Sequence, residues 1–92
     1  MNPNQFVTRA EAEDIAKKLG GLGGGVKEIY VPEYALFPTP GDADRKFFHF
    51  RFNNGAEGVN VGLVRETIRR NPTVWMAMIA ADVRQMTPAK ED

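Results

Sequence analysis

The chain has no cysteine and no serine, and one histidine and one tryptophan among 92 residues. Lack of cysteine removes disulfides, thiolate nucleophiles and thiolate metal ligands together, and argues against a stapled secreted mini-domain. Lack of serine leaves nucleophilic catalysis to five threonines, which carry no evident base partner. With His49 as sole histidine, a zinc site would have to be completed by carboxylates, an uncommon set. No catalytic residue, cofactor or metal ligand is therefore expected. Net charge is also lacking: 12 basic and 12 acidic residues balance at a pI of about 6.6, so no global field steers the protein toward nucleic acid or anionic lipid. No apolar run approaches the roughly 18 residues that span a bilayer, and Met1–Gln5 lacks the basic-then-apolar pattern of a secretory signal. A cytoplasmic location without membrane partners is expected. The length suits one domain, 1–92, with 1–5 and 87–92 expected as disordered tails.

What is present centres on Lys46-Phe47-Phe48-His49-Phe50-Arg51-Phe52. Alternation places Phe48, Phe50 and Phe52 on one face, the predicted core, and Phe47, His49 and Arg51 on the other. Upstream, Thr8-Arg9-Ala10-Glu11 reads as a capping box, and Ala12, Ile15, Ala16 and Leu19 follow at helical spacing, predicting a helix over 9–19. Gly20–Gly25 then holds five glycines around Leu22. A phosphate-loop reading fails there because no Ser or Thr follows the lysine and the loop runs from helix to strand. Val26–Val31 alternates as a first strand, with Pro32 marking an edge or bulge and a resumption expected through Tyr34–Phe37. Pro38–Asp44 is a long turn, and its Asp42-Ala43-Asp44 lacks the glycine and later ligands of a calcium loop.

A second strand is expected over 45–53, a tight turn at Asn53-Asn54-Gly55, and a third strand through Val59, Val61 and Leu63. From Val64 the period becomes helical, and Asn71-Pro72 is expected to cap and open a last helix running to about Met86. The fold class is α+β: an α-β-β-β-α(α) order with a three-stranded antiparallel sheet and helices packed on one face. Phe48, Phe50, Phe52, Ile15, Leu19 and Trp75 are the expected core.

Two surfaces are candidate sites. Tyr30, Phe47, His49 and Arg51 share the outer sheet face, where rings beside a guanidinium suit base stacking. Arg65, Arg69 and Arg70 are candidate phosphate contacts. The stretch 45–52 only partly matches the aromatic strand of the RNA-recognition fold, since Lys46 and Phe48 stand where small residues belong. The element order is shared with double-stranded RNA-binding domains, yet Gly62–Glu66 lacks their lysine cluster. The second surface is the terminal helix, where Trp75, Met76, Met78 and Ile79 combine residue types enriched in interface cores. The expected function is non-enzymatic protein binding with an unknown protein partner, a homodimer included. A nucleic-acid-binding module is the alternative. Excess arginine over lysine with abundant alanine and glycine suits a bacterial or phage gene, hence a small modulator of a larger assembly.

Overall fold

The computed structural model describes residues 5–35 and 44–88. The strand continuation at 36–37, most of the turn at 38–44 and the tail segments 1–4 and 89–92 lie outside the described residues. Gln5, Thr87 and Pro88 are described: the Gln5 backbone lies against Gly62, the Thr87 hydroxyl donates to the Val83 carbonyl at 2.7 Å, and Pro88 approaches Gly55.

The first element is a two-residue strand, β1 (Val7–Thr8), which runs directly into helix α1 (Arg9–Leu19). Both halves of the capping box form: the Glu11 N–H donates to Thr8 Oγ1, and the Thr8 N–H donates to Glu11 Oε1, each at 3.1 Å. Ala12, Ile15 and Leu19 make the buried stripe, and Gly20 ends the helix at φ 58° with its N–H on the Lys17 carbonyl. A 3-10 turn at Leu22–Gly24 folds the glycine stretch over the end of the sheet. Gly23, at φ 63°, lies so near Phe52 that a Cβ would sit 3.1 Å from its ring, and Asn53 Nδ2 donates to the Gly24 and Gly25 carbonyls. The loop is thus a packed connector.

The main sheet has the order β2-β4-β5, formed by β2 (Val26–Tyr30), β4 (His49–Phe52) and β5 (Val59–Asn60), all antiparallel. Val26 faces Phe52 and Ile29 faces Phe50, so a bulge at Lys27 puts both apolar residues on the core side. β2 lies at the edge of this sheet, one of the two outcomes expected from Pro32, while its bulge sits at Lys27, five residues before the proline, and Val31 lies exposed beyond the strand. Pro32 opens a turn closed by the Ala35 N–H on its carbonyl at 3.0 Å, so Tyr34 is a turn residue.

The expected single strand over 45–53 divides. β3 (Arg45–Lys46) pairs with β1, and only β4 joins the main sheet. Phe47 and Phe48 between them are both buried, one on each side, which a strand open to water on one face could not accommodate. The expected tight turn at Asn53-Asn54-Gly55 forms: the Gly55 N–H donates to the Phe52 carbonyl at 3.1 Å and the Phe52 N–H to the Ala56 carbonyl at 2.8 Å. Gly55, and not either asparagine, supplies the positive φ there, and Gly58 supplies a second one before β5. Asn54 Oδ1 instead accepts from the Ala56 N–H at 3.0 Å.

The third strand also ends early. Asn60 Oδ1 accepts from the Leu63 N–H at 2.8 Å and so caps helix α2 (Val61–Arg70), which moves Val61 and Leu63 from a strand onto a helix. Residues 63–70 are therefore helical. The Asn71 carbonyl accepts from the Val74 and Trp75 N–H groups, making 72–74 a turn, so helix α3 (Trp75–Met86) starts three residues after Pro72.

The core gathers the face of Phe48, Phe50 and Phe52 with Ala12, Ile15 and Leu19 of α1, Val61 and Val64 of α2, and Ile79 and Val83 of α3. All three helices thus lie on the phenylalanine side of an antiparallel sheet, the α+β arrangement expected. Trp75 packs against this core but stays partly exposed.

Candidate functional site

The sheet brings Tyr30, Phe47, His49 and Arg51 together on its outer face, because Tyr30 pairs with His49 and Glu28 with Arg51 across β2 and β4. The face is not an open stacking platform, however. Phe47 is 7% and His49 5% exposed, too little surface for a base to lie on. Phe6, from the segment before β1, has its ring 6.0 Å from that of Phe47, and Tyr34 reaches back from the Pro32 turn to place its ring 5.9 Å from the His49 ring. Tyr34 Oη and His49 Nε2 are hydrogen-bonded at 3.2 Å. Burial holds the imidazole below its ordinary 6.5, favouring the neutral ring. Sequence reasoning missed Phe6 and Tyr34 as covers. The turn at Pro32 is legible, but its aim is set by packing.

Arg51 lies at the rim of this cluster. Its guanidinium carbon stands 4.4 Å from the Tyr30 ring centroid, its Nε donates to Glu57 Oε2 at 2.9 Å, and its Nη1 pairs with Glu28. The hydrogen bond to Glu57 is the main cause that raises its pKa above the ordinary guanidinium value. Glu28 and Glu57 thus converge on one arginine. Tyr30 Oη accepts the Gly58 N–H at 3.1 Å.

The three arginines of α2 do not form a stripe of free cations. Arg65 Nη1 donates to Glu11 Oε2 at 2.9 Å, and Arg69 and Arg70 approach Glu66 Oε2 at 2.8 and 3.7 Å. Glu11 is a hub, since Arg45 also meets its Oε1 at 3.0 Å. Partial burial alone would raise its carboxyl; the Thr8 hydrogen bonds with Arg65 and Arg45 overcome this and hold it below its ordinary value.

The terminal-helix candidates separate. Ile79 is a core residue at 2% exposure and Trp75 is half-buried against the core, so neither is free for a partner. Met76 and Met78 are exposed, but residues two apart on a helix project about 160° from each other, so they occupy opposite flanks. Val74, Leu63 and Met86 are exposed as well. Leu63 and Met86 rim a notch of about 100 Å³ between α2 and α3 whose buried wall is Val59, Val64 and Ile79. Leu63, 52% exposed, was expected to face inward from a strand; the Asn60 cap turns it outward.

Among the described residues no group of three or more His, Asp or Glu is placed to hold a metal ion, and no helix is long and apolar enough to cross a membrane. No protein-family model, curated protein or solved structure matches the chain.

Proposed function

We propose that this is a non-enzymatic binding protein that acts by protein–protein interaction through the surface shared by α2 and α3. One observation carries the reading. Of the seven large apolar side chains exposed among the described residues, five (Leu63, Val74, Met76, Met78 and Met86) lie on these helices or the turn joining them, Met76 on the flank of α3 opposite Met78. A notch the size of one aliphatic side chain, rimmed by Leu63 and the flexible Met86, suits a partner that inserts an apolar anchor. The composition fits a modulator of a larger bacterial or phage assembly. The nucleic-acid reading has less support, because Phe47 and His49 are covered and Arg65, Arg69 and Arg70 each have a carboxylate partner.

The test is capture of partners from bacterial lysate by the tagged chain and by Leu63→Glu and Met78→Glu variants, with and without nuclease. A stoichiometric protein that survives nuclease and is lost with either variant, at unchanged thermal midpoint, supports the assignment. Capture that nuclease abolishes, or that both variants retain, overturns it.

A further inference from the structure

Among the described residues β2 has a strand on only one side, since it ends the order β2-β4-β5. Exposed edges are normally blunted by bulges and charges. Both devices are present here, but in a pattern that complements itself. Read antiparallel against its own copy, Val26-Lys27-Glu28-Ile29 sets valine opposite isoleucine and lysine opposite glutamate, twice over. In a regular strand residues three apart point to opposite faces, so this register would mismatch core and solvent sides. The bulge at Lys27 removes the mismatch by turning Val26 and Ile29 to the same, core-facing side.

We propose that the chain self-associates through this edge, a second copy laying its β2 antiparallel across a two-fold axis that passes between Lys27 and Glu28. Two further features favour that occupant. Lys27 and Glu28 are both exposed, and Lys27 has no ionic partner among the described residues, so the second copy's Glu28 meets an unpaired ammonium. Beside the edge, a groove of about 320 Å³ between α1 and β2, lined by Arg9, Glu13, Ala16, Val26 and Ile29, receives the second copy's Val26 and Ile29 side chains. The Ile29 carbonyl points outward and is now held by Arg9 Nη1 at 3.2 Å; the added strand replaces that guanidinium with a backbone N–H. Opposite charges directly across strands attract and like charges repel, so a foreign strand without this alternation is disfavoured while a copy is accepted. Zero net charge removes long-range repulsion between copies. The product is a continuous six-stranded sheet with the α2–α3 surface displayed twice.

Sedimentation velocity over a concentration series, on the full chain, tests this directly. The expected result is a shift from one to two copies. Lys27→Glu and Glu28→Lys each convert two attractive pairs into repulsive ones and weaken association by roughly tenfold. The double exchange restores it, and an equimolar mixture of the two single variants forms a mixed dimer. Lys27→Glu breaks no ion pair among the described residues, so its thermal midpoint stays unchanged and its effect is read free of folding. A monomer at every soluble concentration, or association that neither charge change alters, overturns the proposal. The α2–α3 reading is tested by Met78→Glu, which leaves this edge intact, so the two fail separately.

Discussion

Single residues in this protein are constrained by close approach as much as by burial. Gly62 shows it best. A glycine inside a helix costs about 1 kcal/mol relative to alanine, yet a Cβ at Gly62 would stand 2.4 Å from the Gln5 backbone. Gly62→Ala is therefore expected to lower stability by about 1 to 3 kcal/mol in urea unfolding, the reverse of the usual helix substitution. Phe50 is fully buried, and Phe50→Ala should cost about 3 to 5 kcal/mol, much of the roughly 5 to 14 available to a domain this size. His49 sets a pH dependence. Because burial lowers its folded pKa beneath 6.5, the unfolded chain binds more protons below that value. Stability then falls as pH drops through 6.5 toward the lower folded pKa and levels off beneath it. His49→Phe should flatten this part of the stability profile, leaving the fall at lower pH that comes from Glu11, whose depressed carboxyl stabilises the fold until it is protonated.

At the level of elements, polar side chains decide where strands stop and helices begin. Thr8 and Asn60 each sit at the last position of a two-residue strand and cap the following helix, so β1 and β5 are short because their final residues serve α1 and α2. Asn60→Ala is expected to cost about 1 kcal/mol, with hydrogen exchange accelerated in the first turn of α2, where the Leu63 amide loses its acceptor. Thr8→Ala should cost a similar amount at α1. Glu11 extends the capping logic between elements: bound to Thr8, Arg45 and Arg65, it joins α1 to β3 and α2. The capping box at Thr8 and the alternating phenylalanines are legible in sequence because cap and period are local. The division of the strand at 45–52 is not, since it depends on β1 arriving beside Arg45 from 37 positions away in the chain.

For the molecule as a whole, one cluster links all three helices to the sheet, so no element has a core of its own. Unfolding should be a single transition. Fluorescence of Trp75, packed against that cluster, is expected to report the same midpoint as far-UV circular dichroism, and separated midpoints would show that α3 detaches first. Formal net charge is zero, so the recognition proposed above rests on local features. Two distinct ones result: the apolar α2–α3 side and the self-complementary edge of β2.

By itself the sequence determined the α+β class, the inward face of Phe48, Phe50 and Phe52, the α1 boundaries and the excluded thiol and serine chemistry, since composition, period and caps act over a few residues. Only tertiary structure decided which candidate surface remained open. Phe6 and Tyr34 come from separate segments to cover Phe47 and His49, Glu11 reaches Arg65 across 54 positions, and Ile79 turns inward while Leu63 turns out. Those outcomes depend on which distant segments pack together, and side-chain period along one segment carries no record of what will lie against it.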